Sequence, residues 1–282
     1  MTETAAPPVI ALVQPADQPP ELMVEAAQLA EEAGLAEVWV WEDCFAASGI
    51  APAAAMLAAT RRLRVGIGLL PVPLRAPSLT AMELATMARM FPGRLLPGLG
   101  HGVLDWMGQA GVRVSSPVTL LREHVGAVRA LLHGEEVTTQ GSYVALDQVV
   151  LRFPPQVVPP VLVGGRGPRT LEIAGALGDG VIADDAAPGG VARPERVREV
   201  REIVSAARAA AGREGSPELV AFLPAGLAGD TGRLAEQVRT LGEAGATRVA
   251  VFAGGIDSPP ASGRPVLDLA LRLAEVGAAL RS

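Results

Sequence analysis

Short, continuously apolar runs alternate along the chain with longer segments in which apolar residues recur at helical spacing. Eight such runs occur: VIALV, AEVWV, LRVGIGLL, RLLPGLG, PVLVGG, DGVIAD, LVAFLP and TRVAVFAGG. Their length and lack of polar alternation predict strands buried on both faces, as in a parallel sheet. Between them, ELMVEAAQLAEEAG, AAAMLAAT, SLTAMELATMARMF, LLREHVGAVRALLHG, RTLEIAGALG, PERVREVREIVSAARAAAG, TGRLAEQVRTLGEAG and LDLALRLAEVGAAL predict helices. Strand followed by helix is the order throughout.

Two segments, LAEEAGLAEVWV and LGEAGATRVAVF, place Ala-Gly between a helix and the next strand, and IAGALGDGVIA is a looser third copy. Gly34, Gly245 and Gly178 therefore suit the left-handed residue that ends a helix and turns the chain tightly into a strand. Repeated alternation with this device favours an α/β fold, a single closed (β/α)8 TIM barrel of residues 1–282, over an open doubly wound sheet. Residues 134–160, GEEVTTQGSYVALDQVVLRFPPQVVPP, break the rhythm with short alternating runs, Gly141 and proline pairs. They read as a hairpin insertion before the fifth run, covering the barrel's flank or joining two subunits rather than closing over a site.

Composition narrows the function classes. With 49% hydrophobic and only 3% aromatic residues, the chain can bury a large aliphatic core. Thirty acidic residues against 24 basic ones give a net charge of -6, so nucleic acid is not an expected partner. The single cysteine, Cys44, allows no internal disulfide and fits a reducing cytoplasm. It has no paired His or second Cys to activate it as a nucleophile. MTETAAPP shows no export signal, and IAPAAAMLAAT is too short to span a bilayer. All 24 basic residues are arginines. The absence of lysine excludes Schiff-base chemistry and a Walker A loop.

In a TIM barrel, chemistry sits at the C-terminal ends of the strands. The second run ends in Trp41, Glu42, Asp43 and Cys44. The third ends in Gly68, Leu69, Leu70, Pro71, Val72, Pro73, Leu74 and Arg75, and the fourth in Gly98, Leu99, Gly100, His101 and Gly102. The sixth ends in Asp184 and Asp185. The fifth ends in VLVGGRGPRT, which departs from the G-x-G-x-x-G dinucleotide fingerprint because Thr170 stands where a third glycine would fall. Gly164, Gly165 and Gly167 permit close backbone approach, and Pro168 suits the first position of a helix, so the turn can bind an anion with Arg166 adding a charge-assisted bond. The same residues also suit an ordinary strand-to-helix turn. His124 and His133, in LLREHVGAVRALLHG, read as exposed helix residues, and no two histidines have metal-ligand spacing.

Four ordered stretches, AEEAGLAEVWVWED, VGIGLLPVPLRAP, FPGRLLPGLGHG and PPVLVGGRGPRTLEIAGALGDGVI, resemble the luciferase-like monooxygenase superfamily of flavin and deazaflavin enzymes. Within it the chain is most similar to the bacterial branch using coenzyme F420, which shares the GLL-x-VP-x-R-x-P strand end. The resemblance implies a cytoplasmic oxidoreductase, commonly dimeric, that transfers hydride between F420 and a small organic substrate, for example reducing C=C or C=N. An FMN-dependent monooxygenase and a cofactor-binding protein without turnover are the alternatives.

The resemblance also implies a non-prolyl cis peptide at Gly68–Leu69, against the back of the cofactor ring, with Gly66 and Gly68 alternatively just letting the strand bend. Gly98, Gly100 and His101 would line the cofactor site with Leu69 and Leu70, His101 equally suiting a substrate contact or a plain structural hydrogen bond, and the glycine turn would hold the cofactor's phosphate. Many relatives place a His after an Asp at the second strand end. Here Glu42 and Asp43 stand instead, so that role is not carried over. Asp43, beside Trp41 and Phe45, is the candidate proton donor with Glu42, the two equally suiting rim carboxylates that bind solvent or cap a helix; Trp41 and Trp106 are candidate substrate contacts, Trp106 alternatively packing in the core or a lid.

Overall fold

The computed structural model describes residues 7–183, 192–226, 229–255 and 259–281. In chain order the strands are β1 (Val9–Gln14), β2 (Glu37–Val40), β3 (Arg64–Pro71), β4 (Leu95–Gly100), β5 (Val137–Gln140), β6 (Ala145–Val149), β7 (Leu162–Gly165), β8 (Gly180–Ala183), β9 (Glu218–Ala225) and β10 (Arg248–Ala253). The helices are α1 (Pro20–Glu32), α2 (Ile50–Ala59), α3 (Pro77–Met90), α4 (Leu104–Gln109), α5 (Pro117–Leu132), α6 (Pro168–Ala176), α7 (Pro194–Ala210), α8 (Thr231–Ala244) and α9 (Arg264–Arg281). Eight strands, all those predicted, close into a parallel barrel in the order β1, β10, β9, β8, β7, β4, β3, β2. The fold is the expected (β/α)8 barrel. No helix among the described residues is long and apolar enough to cross a membrane.

Local signals explain where the elements begin and end. Pro20, Pro77, Pro117, Pro168 and Pro194 each open a helix, where a missing N–H costs nothing. Asp230 caps α8 by accepting from the N–H groups of Gly232 and Arg233 at 2.6 and 3.1 Å. Gly34 and Gly245 take φ of 89° and 114°, the left-handed geometry expected of them. Gly178 does not. It is glycine for want of space, since a Cβ there would lie 2.8 Å from the Ala174 carbonyl oxygen and 3.1 Å from that of Gly180.

Residues 134–160 contain an antiparallel hairpin, β5 with β6. It is tied to α5 through Glu123, whose carboxylate accepts from the N–H groups of Ser142, Tyr143 and Val144 at 2.8, 2.8 and 2.9 Å. The hairpin thus lies on the flank and contributes nothing to the cavity described below. α4 was not among the predicted helices. It is a single six-residue element in the connection from β4 to α5, without a side-chain cap, so sequence periodicity gives it no signature.

The core has two parts. A large aliphatic layer lies between strands and helices, with Leu12, Val38, Ile67, Leu99, Val163 and Val251 among its buried members. A smaller cluster fills the barrel interior with Val13, Trp39, Leu96, Leu162, Ile182 and Val220. Trp39 fits there because its neighbour is glycine: a Cβ at Gly66 would sit 2.3 Å from the indole. His124 belongs to the outer layer and is completely buried, contrary to the sequence reading of an exposed helix residue. It lies four residues from both Leu120 and Val128, on the apolar stripe of α5 that packs against α3. Its Nε2 pairs with the Thr80 hydroxyl at 3.2 Å. Burial, with a smaller push from Arg75, lowers its pKa to about 4. His133 is exposed, as read.

Candidate active site at the barrel mouth

The pairing of β3 with β4 shifts register between Ile67 and Leu70. Before the shift Val65 and Ile67 face the helices and Gly66 faces the interior; after it Leu70 again faces the helices. The extra residue turns Leu69 inward alongside Gly68. The Gly68–Leu69 peptide is cis, where the family resemblance places such a bond, and Cys44–Phe45 is also cis.

Leu69 is received by glycines. A Cβ at Gly100 or Gly164 would lie 2.4 or 2.3 Å from its Cδ2, and one at Gly98 would lie 2.3 Å from Ile182 Cδ1. Gly98 and Gly100 therefore shape the bed of Leu69 and do not themselves line the cavity. Leu70 packs outward in the aliphatic layer, 1% exposed.

Above Leu69 a cavity of about 570 Å³ opens at the C-terminal end of the strands. It brings together Gly68, Leu69, His101, Gly164, Gly165 and Arg166 from β3, β4 and β7. Trp41, Glu42 and Asp43 reach it from β2, and Trp106 from α4. Gly167 caps α6 at φ -79° beyond the lining. Asp184 and Asp185 lie outside the described residues.

Glu42 and Asp43 are adjacent but differ in their partners. Glu42 is 8% exposed and fully engaged. Arg75 donates to its two oxygens at 2.5 and 2.8 Å, a bidentate pair, and the Gly49 N–H at the start of α2 donates to Oε2 at 2.5 Å. The Asp43 carboxyl has no hydrogen bond or ion pair among the described residues, its main-chain carbonyl alone accepting from the Ala46 N–H at 2.8 Å. Burial, reinforced by the charges of Asp17 and Glu42, raises its pKa above the ordinary aspartate value. Burial and the charges of Glu42 and Asp43, opposed by Arg75, push the Cys44 thiol up as well, so thiolate chemistry is disfavoured. His101 Nδ1 lies 2.8 Å from the Gly102 carbonyl. Gly165 is tightly packed: a Cβ would approach Thr170 Cγ2 to 2.3 Å.

Two aromatic residues were missed by the sequence reading. Phe222 of β9 and Phe252 of β10 line the cavity, each with its ring 5.3 Å from that of Trp41. Their signal was the position within LVAFLP and TRVAVF, where each lies two residues after an interior residue, Val220 and Ala250. Arg75, quoted in the strand-three motif without a role, also proves to organise the site through Glu42.

Residues 4–259 match the luciferase-like monooxygenase family. The chain belongs to that family. It is similar to a 5,10-methylenetetrahydromethanopterin reductase of Methanolobus tindarius, 28% identical over 162 residues, covering 57% of this chain and 49% of that protein. It is also similar to an F420-dependent glucose-6-phosphate dehydrogenase of Beutenbergia cavernae, 33% identical over 171 residues, covering 55% and 49% respectively. The chain thus spans about half the length of these curated relatives. Among solved structures, an F420-dependent secondary alcohol dehydrogenase in complex with an F420-acetone adduct superimposes with a TM-score of 0.84 over 98% of this chain and 100% of that one, at 19% identity. A monooxygenase from Streptomyces bottropensis superimposes with a TM-score of 0.75 over 97% and 99%, at 21% identity. At these identities the structural likeness speaks for the fold.

Proposed function

We propose that the chain is an oxidoreductase that binds coenzyme F420 at the barrel mouth and transfers hydride between it and a small organic substrate. The observation that carries this reading is the convergence, in one cavity, of the β3 bulge, the glycine turn after β7 and an unpaired carboxyl whose pKa burial raises. Similarity to relatives named for F420 supports the deazaflavin over FMN.

The residues present suit the group. Leu69, pressed against Gly100 and Gly164, gives an apolar floor for a flat ring, and any side chain at Gly164 would fill that bed. Gly165, Arg166 and Gly167, ahead of α6 and its positive end, would hold the phosphate of the side chain. When bound, the deazaflavin supplies or accepts a hydride.

The chain's own contribution is the proton. Protonated Asp43 donates to the carbonyl oxygen or imine nitrogen as the neighbouring carbon is reduced, and the carboxylate takes the proton back in the opposite direction. Glu42 does not compete, because both its oxygens are occupied by Arg75. Its role is to tie the end of β2 to the start of α2 and to keep negative charge beside Asp43. Trp41, Phe222 and Phe252 orient the substrate and exclude water.

The test is a pair of titrations of the purified protein, with F420 and with FMN, followed by cofactor fluorescence. Quenching of F420 and not of FMN is expected. Tight FMN binding without F420 binding would instead favour an oxygen-activating monooxygenase. Tight F420 binding with no turnover of any reducible acceptor would favour a cofactor-binding protein.

A further inference from the structure

Helices α6 and α7 follow neighbouring strands of the parallel barrel, β7 and β8, so both begin at the mouth and run back along its outside. They pack closely: a Cβ at Gly175 of α6 would lie 2.3 Å from the Val204 carbonyl oxygen of α7 and 2.8 Å from Ala207 Cβ. One of their two positive ends stands directly behind the glycine turn and the other beside it. Arg196, the third residue of α7, spans the gap between them. Its side chain is 18% exposed. Nη2 donates to the Arg166 carbonyl oxygen on the turn, and Nη1 pairs with Glu199, one helical turn further along α7, at 2.8 Å.

Peptide geometry connects this bond to the turn's anion chemistry. The Arg166–Gly167 peptide is trans, since the cis bonds of the described residues are Cys44–Phe45 and Gly68–Leu69. In a trans peptide the C=O and the N–H point in opposite directions. With the Arg166 oxygen held toward α7, the Gly167 N–H is turned away from α7, and it has no acceptor among the described residues. The next peptide is fixed from the other side, because the Gly167 carbonyl accepts from the N–H groups of Thr170 and Leu171, both at 3.0 Å. Gly167 is thus held by α7 before it and by α6 after it. A glycine adopts positive and negative φ about equally readily, and a Cβ at this one would meet nothing within 4 Å. Without Arg196, nothing else among the printed bonds keeps the Arg166–Gly167 peptide from flipping.

We propose that Arg196 is a positioning residue of the phosphate site: it fixes the Arg166–Gly167 peptide so that the Gly167 N–H is presented to the anion. This rests on the F420 reading and adds to it a residue from the following βα unit. The glycine turn supplies the donor, and Arg196 supplies its direction. Glu199 keeps the guanidinium in place, but it is 58% exposed, so its own part is small.

The experiment compares F420 with the phosphate-free 8-hydroxy-5-deazaflavin that ends at its ribityl chain, by fluorescence quenching in the parent, Arg196→Met and Arg196→Lys. Arg196→Met should bind F420 about tenfold more weakly, the loss of one directed hydrogen bond, and bind the phosphate-free compound as the parent does. Arg196→Lys, which keeps a donor, should recover part of the loss. Equal weakening toward both compounds, or unchanged F420 affinity in Arg196→Met, overturns the inference. Failure of the parent to bind either compound counts against the cofactor reading, and a second readout then decides the inference without any cofactor. In 15N-labelled protein, inorganic phosphate should move the Gly167 amide proton downfield in the parent and leave it in place in Arg196→Met. A Gly167 signal that moves equally in both proteins, or in neither, overturns the inference.

Discussion

At the N-terminal end of the strands Glu37 is completely buried, and at the C-terminal end Asp43 is partly buried, yet only the first has partners. Glu37 Oε1 receives Arg64 at 2.6 Å and Arg248 at 3.0 Å, and Arg248 also pairs with Glu218. Each of these four residues opens a strand: Glu37 β2, Arg64 β3, Glu218 β9 and Arg248 β10. Together they plug the bottom of the barrel beneath Trp39, whose Nε1 lies 3.4 Å from Glu37 Oε2. At the mouth, Arg75 satisfies Glu42 in the same way and leaves Asp43 alone. The difference teaches how the fold divides its charges. Paired carboxylates join elements that must not move, and an unpaired one has a proton to exchange.

This contrast breaks if Asp43 is removed without consequence. Asp43→Asn should lower kcat about 10²–10⁴-fold while leaving F420 affinity unchanged. Its stability should diverge from that of the parent as pH rises. A carboxyl whose folded pKa is raised stabilises the folded state below the unfolded value, near 3.8, and loses that contribution as pH climbs through the folded value. The amide does not titrate, so in urea melts the variant should equal the parent in acid and gain on it across that window. A variant that instead loses stability with rising pH would mean the carboxylate has a partner.

At the other end the effect should fall on stability alone. Arg248→Met leaves Glu37 with one of its two arginines and Glu218 with none, and should lower the unfolding free energy by about 3 kcal/mol. F420 affinity of the folded variant should match the parent. A loss of affinity at constant stability would place the functional charges at the wrong end.

A smaller effect separates packing from binding within the glycine turn. Gly165→Ala should cost about 1–3 kcal/mol, because its Cβ meets Thr170 at 2.3 Å. A Cβ at Gly167 meets nothing within 4 Å. Gly167→Val should therefore leave the thermal midpoint nearly unchanged and weaken F420 binding. Equal losses in both variants would reduce the turn to an ordinary connection.

The barrel was legible because its strands are short, apolar and separated by capped helices, and the flank hairpin because its polarity alternates. The site was legible only as a set of strand ends. A strand buried on both faces carries no alternation of hydrophobicity, so LVAFLP reveals that Phe222 shares a face with Val220 but not that this face is the interior. At GIGLLP the β3 bulge breaks the period, so neither propensity nor spacing distinguishes inward Leu69 from outward Leu70. Asp43 and Glu42 looked equivalent in sequence. What divides them is Arg75, brought to Glu42 by the closure of the barrel. His124 was misread although its spacing from Leu120 and Val128 marks the buried stripe, because its residue type was weighed above its position.

The most direct test of where function resides is hydrogen–deuterium exchange of the chain with and without saturating F420. Protection should appear in peptides spanning residues 68–75, 98–108 and 162–170 at the mouth. Peptides around Glu37 and Glu218, at the plugged end, should exchange as before. Protection confined to the plugged end, or no protection at saturation, would contradict the account.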